Sequence, residues 1–217
     1  MRVQDLIAEF RRVTTDTVFP YHWDDSEVVS YIHDAVNEAC ERALLIEDST
    51  TAAVCNIALE AGEASYTLHD SVIDITRAKL GTQKLTETSV EFLDLDSTTW
   101  EEREGEPRQF YCVGLTGIRV VPIPTEAATL SLTVHRRPID PIDIDTDLSA
   151  ILPAHLHLRL LPWVYRCAYL KADSEVFDAT TAAAREVEFE RNFGFRHDAN
   201  VQRKQRDKRP PVVRAVW

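Results

Sequence analysis

No CxxC pair occurs in this sequence, and its four cysteines, Cys40, Cys55, Cys112 and Cys167, stand far apart. That spacing signals neither a zinc knuckle nor a disulfide framework, and it predicts reduced, buried thiols. No uncharged run approaches about 18 residues, so no segment reads as membrane-spanning. The opening MRVQDLIAEFRR lacks the apolar stretch of a signal peptide, which argues against export by that route. GxGxxG, Walker, GxSxG and HExxH patterns are all missing, and with them the usual signatures of dinucleotide binding, P-loop chemistry, serine hydrolysis and zinc proteolysis. No internal repeat and no low-complexity segment stands out.

What is present is ordinary for a globular chain: 217 residues, 44% hydrophobic and 28% charged, enough for one sizeable core or two small ones. The net charge of -12 argues against general nucleic-acid binding. Its distribution is uneven. Residues 201–217 hold Arg203, Lys204, Arg206, Lys208, Arg209 and Arg214 against Asp207, a net of +5 that leaves -17 on the rest.

Residues 23–46 carry a complete set of helix signals. Asp24 and Glu27 have the spacing of a reciprocal capping box, and Trp23 and Val28 occupy the staple positions. Val29, Ile32, Val36, Ala39 or Cys40, and Ala43 then recur at steps of three and four, with Glu27, Ser30, Asp34, Glu38 and Glu41 turned the other way. Val3, Leu6, Ile7, Phe10 and Val13 predict a shorter helix before it. Pro153 can open a third, marked by Leu156, Leu160, Val164, Cys167 and Leu170, with a kink or break at Pro162. Asp173 or Ser174 can cap a fourth, which Gly194 can end.

Between these helices the period falls to two. Strands are predicted over 52–59, 65–68, 72–80, 83–85, 109–113, 117–121 and 129–137, with Gly81 in a turn and a short helix over 88–95. The predicted fold class is α+β: a four-helix bundle built from both ends of the chain, an inserted small antiparallel β-sheet or barrel of roughly five to seven strands, and an extended C-terminal arm. The corresponding segments are 1–48 (helical), 49–138 (β), 139–152 (acidic connecting loop), 153–195 (helical) and 196–217 (basic arm).

Few residues suggest chemistry. His155 and His157 are two apart, so on a helix they face nearly opposite sides and cannot share one ion. Asp143, Asp145 and Asp147 resemble the start of a calcium loop, but Leu148 stands at its glycine position and Ala154 at its terminal glutamate. The pattern predicts a solvated acidic loop, in which Asp140, Asp143, Asp145 and Asp147 can face a basic partner or a neighbouring subunit. No nucleophile is paired with a base, so the expectation is a protein that is not an enzyme and needs no cofactor and no metal.

The basic arm admits three readings: a salt-dependent nucleic-acid contact, an inert solvated terminus, or a docking arm. Pro210 and Pro211 stiffen an extended peptide, and Val212, Val213 and Trp217 supply apolar anchors that a purely electrostatic tail does not need, which favours docking.

VQDLIAEFRR followed by YHWDDSEVVSYIHDAVNEACER resembles the opening of head-to-tail adaptor proteins of tailed bacteriophages and related viruses. Trp23, Asp25, Glu27, Val28, Tyr31, Ile32, Asp34, Ala35 and Val36 fit that pattern, while His33 stands where asparagine is more usual. VVPIPTEAATLSLTVHRRP is similar to the end of that family's sheet. Residues 151–193 match its proline-started helix pair, with Pro162 as a departure. The resemblance implies a non-enzymatic virion protein at the head-tail junction, made in the host cytoplasm. It further implies a ring, usually of twelve copies, bound to the portal protein and to a tail or nozzle protein, with DNA passing through the channel without specific binding and no membrane partner. A C-terminal arm gripping the portal would place Arg203, Lys204, Arg206, Lys208, Arg209, Pro210, Pro211, Val213 and Trp217 at that contact.

Overall fold

The computed structural model describes residues 1–172 and 175–196. In chain order the elements are α1 (Val3–Thr14), α2 (Asp25–Ala43), β1 (Ile46–Asp48), α3 (Ala52–Cys55), β2 (Asn56–Leu59), β3 (Ser65–Thr67), β4 (Val72–Leu80), β5 (Gln83–Glu87), α4 (Val90–Asp96), β6 (Gln109–Val113), β7 (Gly117–Val121), β8 (Ala128–Arg136), α5 (Leu161–Tyr169) and α6 (Ala179–Phe193). Short 3₁₀ turns occupy Trp100–Glu102, Leu148–Ala150 and Ala154–Leu160. All of the expected arm beyond Arg196 lies outside the described residues, as do the expected caps Asp173 and Ser174. Asp178 caps α6 instead, accepting from the Thr180 and Thr181 amides at 3.0 Å.

The described chain divides into two compact units, 1–46 with 136–196, and 47–135. In the first, α5 packs on α2 and α6, and α1 packs on α2 and α5. Phe10, fully buried, lies edge-on to Trp23 (5.4 Å between ring centres) and stacks on Tyr165 (5.5 Å). Trp163, Phe189 and Phe193 form a second aromatic run. A fully buried side chain of this size contributes about 1.5–3 kcal/mol.

The second unit holds a sheet of eight strands in the order β1-β8-β4-β5-β6-β7-β3, with β2 also paired to β8. β4 and β5 are joined by a two-residue turn with Gly81 at φ 58°, a backbone that glycine adopts without cost. Leu59, Leu85, Ile118, Leu130 and Val134 belong to its core.

The expected four-helix bundle with a small antiparallel insert is therefore corrected: the fold is mixed α and β, with a curled eight-stranded sheet and six α-helices among the described residues. Three local causes account for the difference. Leu44 caps α2 in the left-handed conformation (φ 50°), so the chain leaves the helix early and Ile46–Asp48 becomes a strand. Asp48 then accepts from the amides of Thr50 and Thr51, and that turn starts α3 where a continuous strand was expected. Between Glu87 and Gln109, α4 and the Trp100 turn form a crossover long enough to make β5 and β6 parallel. In the helical unit, Pro162 cannot donate a backbone hydrogen bond. The third helix accordingly starts as a 3₁₀ segment, and α5 begins with that proline in its first turn.

Candidate functional site

α1 and α2 are joined by a loop built around one cation. Arg11 donates to Asp16 (2.7 Å), to the Trp23 carbonyl (2.9 Å) and to Asp25 (2.6 Å), and its guanidinium lies 3.6 Å from the Tyr21 ring centre. Asp16 also accepts from the His22 amide at 2.9 Å. This network replaces the expected capping box. The Asp24 side chain makes no cap hydrogen bond, and Glu27 turns instead to Tyr31 (2.6 Å) and Lys171 (2.8 Å). Burial alone would raise the Glu27 carboxyl, but the hydrogen bonds from Lys171 and Tyr31 outweigh it and hold the group below its usual range.

The stripe on α2 is also rotated from the expected one. Val28, Ile32, Ala35, Val36, Ala39 and Cys40 are buried while Ala43 is exposed, as is Val13 on α1. Glu38, expected on the outer side, is buried with Arg42: the two side chains pair at 2.8 Å and are 8% and 2% exposed. Arg42 also donates to the Gly194 carbonyl at 3.3 Å, which fastens α2 to the end of α6.

The acidic loop lies where unit one re-enters the helices. Asp140, Asp143, Asp145 and Asp147 are all exposed, while Ile142 and Leu148 are buried beneath them. Asp143 closes a small turn by accepting from the Thr146 hydroxyl (2.8 Å) and the Asp145 amide (3.0 Å). Asp147 accepts from the Ser149 amide (3.0 Å) and from the Met1 amino group (3.4 Å). The Ser149 bonds and that amino group hold its carboxyl below the usual value. The Ile142 amide donates to His33 at 3.3 Å, so the residue in the usual asparagine position ties α2 to this loop.

Beside the loop opens a cleft of about 390 Å³, lined by Asp25, Ser26 and Val29 of α2 and by Ile142, Asp143 and Ile144. The structure thus joins the acidic loop to the first turn of α2, a juxtaposition that the sequence reading missed. The signal was the alternation of Ile139, Ile142 and Ile144 with the aspartates, read there only as polar. The remaining predicted site residues, Arg203, Lys204, Arg206, Lys208, Arg209, Pro210, Pro211, Val213 and Trp217, lie outside the described residues.

Other candidates do not assemble. His157 is 1% exposed and its Nε2 lies 2.9 Å from the Leu152 carbonyl oxygen, whereas His155 is exposed. Among the described residues no cluster of three or more His, Cys, Asp or Glu side chains could hold a metal ion. None of the described helices is long and apolar enough to cross a membrane. The four cysteines form no disulfide, and burial pushes Cys40 up to about 12 and Cys167 up to about 11.

No curated protein matches this chain. A family model does, and it spans both units and the acidic loop: from residue 1 to residue 215, the chain belongs to the SU10 adaptor protein family, a family of phage head-tail adaptors.

Proposed function

We propose that this chain is a head-to-tail adaptor that forms a ring under the portal, docks there through residues 196–217, and presents a platform for the tail. The observation that carries the reading is the family match, which takes in the helices, the sheet and the C-terminal segment together. Two features of the chain support it. Residues 201–217 place six cationic side chains next to Pro210, Pro211, Val213 and Trp217, so long-range attraction and apolar anchoring reside in one peptide. The remaining chain carries -17, a charge that would let DNA pass through a channel without adhering. A ring of twelve, the size that the resemblance implies, would make individually weak arm contacts collectively strong. The exposed Asp140, Asp143, Asp145 and Asp147 would then face a neighbouring subunit or a basic partner.

Native mass spectrometry of the protein mixed with the portal ring of its own genome tests this reading. Many copies should load on the ring, and truncation after Asn200 should weaken loading. If nothing loads at any salt concentration, the reading fails. Salt-dependent binding to DNA would then favour a nucleic-acid-binding accessory protein acting through the basic C-terminal segment, and binding to neither would favour an unrelated cellular scaffold protein.

A further inference from the structure

The cleft between α2 and the acidic loop plays no part in the portal contact proposed above. Val29, Ile142 and Ile144 give it an apolar lining, to which α2 adds Asp25 and the loop adds Asp143. Asp25 is tied to Arg11, but the hydrogen bonds that Asp143 accepts come from neutral groups of its own turn. Such a cleft selects a peptide that offers bulky apolar side chains next to a cation. Residues 210–217 have that pattern, with Val212 and Val213 beside Arg214 and with Trp217 after them. We propose that in the free protein the cleft holds residues 210–217 of the same chain, and that a portal ring must displace them.

The length of the tether favours the chain's own segment over that of another copy. Arg196, the last described residue, pairs with Glu38 (3.8 Å) and Glu41 (3.7 Å) near the end of α2, and the cleft is at its start. At 1.5 Å per residue these points are about 24 Å apart along the helix. Residues 197–209 join Arg196 to Pro210. A polar coil of that length spans about 20 Å on average and about 43 Å at most. Its average span is thus close to the distance it has to cover, the condition under which a tethered segment reaches its highest effective concentration, of the order of mM. The segment of another copy is present only at the concentration of the protein itself, so in a solution of about 1 µM it is outcompeted roughly a thousandfold. Charge supports the same path, since a linker drawn from the +5 segment runs beside a body of -17. The contact covers Val212, Val213 and Trp217 until a ring of binding sites competes for them. This inference rests on reading 201–217 as a docking arm, and it gives that arm a resting place when the portal is absent.

The test uses full-length protein carrying Val213→p-benzoylphenylalanine, prepared as an equal mixture of ¹⁴N and ¹⁵N copies and irradiated without portal. Crosslinks should stay within one copy, light to light and heavy to heavy, and map to residues 25–29 or 139–147. Their yield should not change on about fiftyfold dilution, because an intramolecular contact does not depend on protein concentration. Ile144→Glu, at a side chain 40% exposed and thus dispensable for folding, should lower that yield about tenfold. Crosslinks between light and heavy copies, a yield that falls on dilution, crosslinks elsewhere, or none at all would overturn the inference, and these readouts need no change in the cleft. Portal loading of the same protein reports separately on the portal reading. Loading without the crosslink defeats this inference alone, and the crosslink without loading defeats the portal reading alone.

Discussion

Arg11 donates to Asp16 at 2.7 Å, with the two side chains 9% and 7% exposed. Asp16 accepts at the same time from the His22 amide, and Arg11 from its other side holds Asp25 and the Trp23 carbonyl. One buried ion pair thus sets the path of residues 15–24 and the point at which α2 begins, and the first residue of α2, Asp25, also lines the cleft.

Removing Asp16 leaves Arg11 still paired with Asp25 and the Trp23 carbonyl. Asp16→Ala should therefore cost about 1–3 kcal/mol, from one lost hydrogen bond to a charged group and the His22 amide's lost acceptor. The urea midpoint of the variant measures it. A change below about 0.5 kcal/mol would mean that water solvates Arg11 as well as Asp16 does.

Phe10 has no exposed surface and two aromatic neighbours within 5.5 Å. Phe10→Ala should destabilise by about 3–5 kcal/mol, since the rigid rings of Trp23 and Tyr165 cannot collapse into the vacated volume. Thermal unfolding of the variant against the parent gives the comparison.

Glu27 is held below the usual carboxylate range by Lys171 and Tyr31, despite its burial. A depressed acid stabilises the fold above its unfolded value of about 4.3, and that contribution fades as pH falls through the lower folded value. The pair is partly exposed, 30% for Lys171 and 27% for Glu27, so Glu27→Gln should cost no more than about 1 kcal/mol at neutral pH. The difference from the parent should shrink below pH 4. Denaturation at pH 7 and pH 3 checks the sign.

Cys40 and Cys167 should resist alkylation. With thiols pushed up to about 12 and about 11 by burial, their thiolate fraction at pH 8 is orders of magnitude below that of an ordinary cysteine. An iodoacetamide pulse read by peptide mass spectrometry should label both at least about 100-fold more slowly in folded than in unfolded protein.

Asp140 and Asp145 are exposed, so Asp140→Asn with Asp145→Asn should leave the thermal midpoint within about 2 °C. If the acidic loop faces a basic partner, the same double variant should slow association at low salt and have little effect at high salt. Stopped-flow mixing with portal at two salt concentrations separates those outcomes.

Much of the chain could be read locally. The strands Val72–Leu80, Gln109–Val113 and Gly117–Val121 have the limits that alternation and turn residues predict. Gly194 ends α6 at φ 88° as a helix-stopping glycine should. The cleft was only half legible: isoleucines alternate with aspartates over residues 139–145, but that alternation does not say which isoleucine is buried or that α2 lies against it. The direction of Glu38 was not legible either: helical spacing places it outside, and only Arg42 and the end of α6 make its burial affordable.

Sequence alone determined α2, the turn at Gly81, the charge contrast between body and C-terminal segment, and the family, since each of these resides in neighbouring residues or in their order. Tertiary structure decided the eighth strand, the parallel pairing of β5 with β6, the buried arginines and the joining of Val29 to Ile144. Those features depend on how other elements pack around a backbone amide or a buried charge, and the order of neighbouring residues does not record which face of an element ends up covered.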